Sequence, residues 1–178
     1  MRIFISGGCK NGKSTLAKQL AISQNTGAGL YYVATMIPTG EDDVRRIARH
    51  RADREGDGFT TIEHPRNISR LLSVYPADGS FLVDSLTALM QNEMFRADFH
   101  DRDAYRRVIP QLTRVLDAFE NIVIVSDFIY ADAQRYDALT ERYRESLAHI
   151  DRAVAAQCDT VIEVAYSCIT VHKGELIT

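Results

Sequence analysis

Short apolar runs alternate with amphipathic stretches along this chain. Ile3 to Ile5 predict a short buried strand, and Lys13 to Ser23 a helix with Leu16 and Leu20 on one face. "NTGAG" breaks that helix, and "LYYVAT" predicts a second strand. Residues 41 to 54, "EDDVRRIARHRADR", predict a helix whose first-turn acids suit the helix dipole. After an "EGDG" turn, "FTTIE" predicts a third strand, and Pro65 and Asn67 introduce a helix over about 67–74. "FLVD" is an apolar strand ending in Asp84, followed by helices over 86–95 and 103–119. "IVIVS" is a fifth strand, 135–157 a long helix, and "TVIEVA" and "CITVH" the last two strands. Strands alternating with helices imply βαβ units, hence an α/β fold with a mainly parallel sheet flanked by helices. No linker marks a second domain, so residues 1–178 are expected to form one.

The junction of the first strand and helix carries Gly7-x-x-x-x-Gly12-Lys13-Ser14, the spacing of a phosphate-binding loop. A triphosphate packs several negative charges closely, and side chains alone would crowd around it. Gly7, Gly8 and Gly12 let the backbone turn so that the N–H groups of Cys9, Lys10, Asn11 and their neighbours point inward. The helix that follows adds its positive end at Ser14 and Thr15. Lys13 supplies a charge for the outer phosphates, and Ser14 an oxygen for Mg²⁺. Asp84, at the carboxyl end of its strand, is placed to be the second Mg²⁺ partner; the alternative is an N-cap for the next helix.

Composition narrows the partners. The chain has 178 residues, 46% apolar and 25% charged, with a net charge of −3, which gives no general pull toward nucleic acid or an anionic membrane. Cys9, Cys158 and Cys168 form no C-x-x-C pair, which argues against a disulfide framework or zinc site and fits a reducing cytoplasm. The longest clean apolar run, Ile122 to Val125, is far short of a membrane span, and no signal-peptide layout is expected at the N-terminus.

Residues 45 to 54 read Arg-Arg-Ile-Ala-Arg-His-Arg-Ala-Asp-Arg. Arg46, His50 and Arg54 fall at i, i+4 and i+8 and so share one helix face. Guanidiniums beside an imidazole disfavour a second charge, and a neutral imidazole is a nucleophile toward phosphorus. The alternative is a solvated basic face that does no chemistry.

Several stretches together resemble one family, the bifunctional adenosylcobinamide kinase / adenosylcobinamide-phosphate guanylyltransferases of cobalamin biosynthesis. "ISGGCKNGKS" resembles that family's opening loop and "YYVAT" its second strand. "RIARHRADR" followed by "FTTIE" resembles its pattern R-I-x-x-H-R-x-x-R, an aromatic, then T-h-E with h apolar. "LVDSLTALMQNEMF" and "YRESLAHIDRAVAAQCDTVIEVAYSCITV" resemble its later segments. The resemblance implies a three-layer, RecA-like P-loop NTPase fold. It also implies phosphorylation of adenosylcobinamide by a nucleoside triphosphate, ATP or GTP. In the second activity His50 attacks the α-phosphate of GTP and passes GMP to the cobinamide phosphate. Arg46, Arg51, Arg54 and Glu63 join the loop residues in nucleotide binding on this basis, and a homotrimer is implied.

The departures are local. The family pattern N-E-V-G-x-G-I-V-P is replaced by "DFIYADAQR", Asp127 to Arg135, with Phe128 at the glutamate and Tyr130 and Asp132 at the glycines. Phe59 stands where Trp is common, and Asp151 where the final helix usually has Asn. A turn that relies on glycine cannot keep its shape with these residues. One side of the substrate pocket is therefore expected to be rebuilt, with a different acceptor or one activity absent. The other readings are a different small-molecule P-loop kinase and a non-catalytic nucleotide-binding paralogue.

Overall fold

The structure, a computed structural model, describes residues 1–97 and 99–176. Seven strands form one sheet in the order β3-β2-β4-β5-β1-β6-β7. They are β1 (Arg2–Gly7), β2 (Leu30–Ala34), β3 (Thr60–Glu63), β4 (Ser80–Asp84), β5 (Asn121–Asp127), β6 (Thr160–Ala165) and β7 (Cys168–Lys173). All pairings are parallel except β6 with β7. The helices are α1 (Lys13–Ser23), α2 (Glu41–Ala52), α3 (Leu86–Met94), α4 (Tyr105–Ala118) and α5 (Ala138–Gln157). Side chains alternate across the sheet, as a period of two requires. Ile3 and Ile5 pack with Ala17 and Leu20 of α1, while Phe4, Ile122 and Ile124 face Leu112, Val115 and Leu147 of α4 and α5. Both faces are covered, which explains why the central strands read as unbroken apolar runs.

Most expected elements are present with ends shifted by one to three residues. The helix expected over 67–74 is a 3₁₀ helix, Ile68–Ser73, entered from Asn67 in the left-handed region at φ 55°. The last long helix starts at Ala138 rather than 135, because the Asp137 carboxylate accepts the N–H groups of Leu139 and Thr140 and caps it there. The helix expected over 41–54 ends at Ala52, so Arg54 lies just beyond it. Among the described residues no helix is long and apolar enough to cross a membrane.

Candidate active site

Parallel pairing brings the carboxyl ends of β1, β4 and β5 to one edge of the sheet. The loop from Gly7 to Gly12 leaves β1 there and enters α1. A Cβ on Gly7 would collide with the Val164 carbonyl of β6, so the close approach needs glycine. Gly12 enters the helix at φ 93°, a backbone state that glycine adopts without strain. The Asn11 side-chain amide donates to the Val164 carbonyl and ties the loop to β6. The buried Lys13 ammonium turns back into the loop, donating to the Gly8 carbonyl at 2.6 Å and to Asp127 Oδ1 at 2.9 Å.

A cavity of about 910 Å³ opens over this edge. Cys9 to Thr15 line it, as do Asp84 and Asp127 from the sheet and Arg46, His50 and Arg54 from the α2 segment. None of the residues of α2 is buried. The chain is anchored just past the C-terminal end of α2: the Arg54 guanidinium lies 3.4 Å from the Tyr32 ring centre, and Lys18 Nζ pairs with Asp57 at 2.8 Å. Arg46, His50 and Arg54 share one side of this segment, as their spacing predicts, and that side lines the phosphate-loop cavity. Arg51 and Glu63 do not line this cavity; they pair with each other at 2.5 Å and border a second, adjoining cavity of about 550 Å³. Met36, Pro38, Val44 and Ile47 give that second cavity an apolar wall, and Tyr32, Arg46, His50, Arg54 and Asp84 border both cavities.

Asp84 is not a helix cap. Ser85 caps α3, its hydroxyl accepting the Ala88 N–H, and Asp84 turns toward the cavity. The Tyr32 hydroxyl donates to Asp84 Oδ2 at 2.7 Å, and His50 Nδ1 lies 3.8 Å from the same oxygen. Burial pushes the Asp84 carboxyl up, but His50, the Tyr32 hydroxyl and the charge of Arg46 outweigh it and hold it below the usual carboxylate range. Burial and the Asp84 charge push the Tyr32 phenol well up, so it stays a donor. Ser14 and Asp84 offer hard oxygen donors on one cavity wall, a set that fits Mg²⁺ carried by phosphates and keeping several waters. Among the described residues no cluster of three His, Cys, Asp or Glu could form an all-protein metal cage.

Sequence reasoning missed Tyr32, Lys18, Arg49 and Asp127, all of which line the cavity. Asp127 carried a usable signal, a charged residue ending an apolar strand. Tyr32 carried none, since its ring reads as ordinary strand composition. The altered stretch after β5 is ordered by α5 instead of by glycine. Tyr130 and Asp132 are absent from the residues with positive φ. Arg144, 7% exposed, donates to the carbonyls of Ile129, Asp132 and Gln134 and pairs with Asp132 and Glu141. The Tyr130 hydroxyl reaches the buried Asp151 at 3.0 Å. A buried arginine and a buried acid thus hold this turn.

The fold is that of P-loop ATPases. A KaiC-like protein, PH0186, from Pyrococcus horikoshii OT3 superposes with a TM-score of 0.52 at 13% identity, covering 97% of this chain and 79% of that one. The ATPase domain of G40P gives a TM-score of 0.52 at 12% identity, covering 97% and 76%. In sequence, the chain is 31% identical over 176 residues to the bifunctional adenosylcobalamin biosynthesis protein CobP of Pseudomonas aeruginosa, covering 98% of this chain and 99% of that protein. The profile of the family described as cobinamide kinase / cobinamide phosphate guanyltransferase matches residues 3–170. A match running from β1 into β7, and so spanning the loop, the α2 histidine and the rebuilt turn alike, means that the chain belongs to the cobinamide kinase / cobinamide phosphate guanyltransferase family.

Proposed function

We propose that this protein acts in cobalamin biosynthesis, phosphorylating adenosylcobinamide and then transferring GMP from GTP to the product through a covalent adduct on His50. The observation that carries this reading is the place of His50. It stands at the border that the phosphate-loop cavity and the apolar-walled cavity share, with Arg46, Arg54 and Asp84 beside it, so a neutral imidazole there can meet a nucleotide and an acceptor in turn. An imidazole nitrogen attacks the α-phosphorus of GTP; the P–N bond forms, the bond to the β-phosphate oxygen breaks, and pyrophosphate leaves with the electron pair. A phosphate oxygen of the acceptor then attacks the same phosphorus and the P–N pair returns to the ring. Asp84 at Nδ1 orients the ring and leaves Nε2 as the free nitrogen. Arg46 and Arg54 hold the phosphate under attack, and Lys13 holds the outer phosphates. Mg²⁺, when bound through Ser14 and Asp84, neutralises phosphate charge.

The test uses α-labelled GTP with Mg²⁺, followed by denaturation. The parent should retain acid-labile, base-stable label, and His50→Ala should retain none while still phosphorylating adenosylcobinamide, because transfer of the outer phosphate does not pass through the imidazole. Label that persists in His50→Ala overturns the role. The family resemblance further supports a homotrimer, which sedimentation equilibrium would read as three times the 20.0 kDa chain.

A further inference from the structure

Asp127 is the last residue of β5, and the register of β5 on β1 sets it beside Gly7, where the phosphate loop begins. Its backbone N–H donates to Thr87 Oγ1 at 2.8 Å, and the next N–H, of Phe128, donates to the Gly7 carbonyl at 3.0 Å. These bonds pin the strand end, so the carboxylate is placed by the sheet rather than by a loose loop. Oδ1 holds Lys13 Nζ at 2.9 Å. Oδ2 has no hydrogen-bond partner among the described residues, and the side chain keeps 15% exposure toward the cavity. The other acids lining the cavity are differently engaged. Asp84 accepts from Tyr32 beside His50, Asp42 pairs with Arg45, and Asp53 is exposed at the rim.

We propose that Asp127 is the general base of the kinase step, accepting the proton of the acceptor hydroxyl at Oδ2. The inference rests on the reading above that this cavity binds a nucleoside triphosphate. A phosphate-loop lysine contacts the outer phosphates, so a carboxylate bonded to that lysine stands one hydroxyl's reach from the γ-phosphorus. In the step, the acceptor oxygen bonds to the γ-phosphorus, and the bond to the β-phosphate oxygen breaks. The nucleoside diphosphate leaves with that electron pair, and the hydroxyl proton passes to Asp127. Where the family pattern has Asn then Glu, this chain has Asp127 then Phe128, so the pair keeps a single carboxylate, moved by one residue. GMP transfer to His50 removes no hydroxyl proton and does not need this base.

Asp127→Asn keeps the side-chain oxygen on Lys13 and removes the base. ADP formation from ATP is measured with adenosylcobinamide and with water as the only acceptor, and covalent GMP on His50 is measured in parallel. The variant should lose about 100-fold or more of ADP formation with either acceptor, while GMP labelling falls far less than ADP formation. ADP formation at the parent's rate overturns the proposal, as does a parallel loss of labelling, which would mean that Asp127 acts only by holding Lys13. If the parent makes ADP with water and adenosylcobinamide adds nothing, the acceptor assignment fails while the comparison with water still judges Asp127. A parent that makes no ADP with either acceptor overturns both.

Discussion

Two buried or half-buried acids respond to pH in opposite ways. Asp84 is held below the usual range, so the stability it contributes is present above its unfolded value and is lost as pH falls through its folded one. Asp151 is the reverse. Burial, aided by the nearby Asp127, pushes it up to about 7 against the hydrogen bonds of Ser126 and Tyr130. Its folded form binds a proton that the unfolded chain releases near pH 4, so stability falls as pH rises from about 4 to 7 and then levels off. Asp151→Asn stays neutral and still offers an oxygen to both hydroxyls. Urea unfolding between pH 4.5 and 8 should show the parent losing stability with pH and the variant losing clearly less; equal slopes would place the proton elsewhere.

Among the elements, α2 carries the chemistry with the least anchoring. It has no buried residue, and what holds it is the Arg51–Glu63 pair, the His50–Asp84 approach and, just past its end, Arg54 on the Tyr32 ring and Asp57 on Lys18. Elements with few buried contacts open at the low end of the free-energy range. Hydrogen exchange should therefore run faster in α2 than in α3 or α5, and should slow in α2 when GTP and Mg²⁺ engage Arg46, His50 and Arg54. Protection in α2 equal to that of α5 without nucleotide would contradict this. The register of those residues was legible in the sequence, because spacing alone puts them on one face. What that face meets was not, since nothing in the helix says which sheet edge it covers. Arg51 shows the limit: one residue from His50, it points to the other cavity and pairs with Glu63.

At the scale of the whole molecule, alternation of strand and helix announced a parallel sheet, but not the strand order. The central strands are apolar on both faces, so their sequences carry no signal for which neighbour they take. The order matters because it sets β5 beside β1, and so Asp127 beside the loop. Nucleotide bound there would bridge the ends of β1, β4 and β5 to α2, and should stabilise the chain as a unit. At 100 times its dissociation constant a ligand adds about 2.7 kcal/mol, and for a chain of this length that raises Tm by about 5–10 °C. GTP with Mg²⁺ should give this shift in calorimetry, and Lys13→Ala should abolish it at the same concentration. Without nucleotide, Lys13→Ala leaves the Asp127 carboxylate beside the loop without its cation, at a cost of about 1–3 kcal/mol. Adding Asp127→Asn to Lys13→Ala should then restore most of the lost Tm but none of the nucleotide shift. Recovery of the shift in the double variant would show that Lys13 only balances Asp127 and does not hold phosphate.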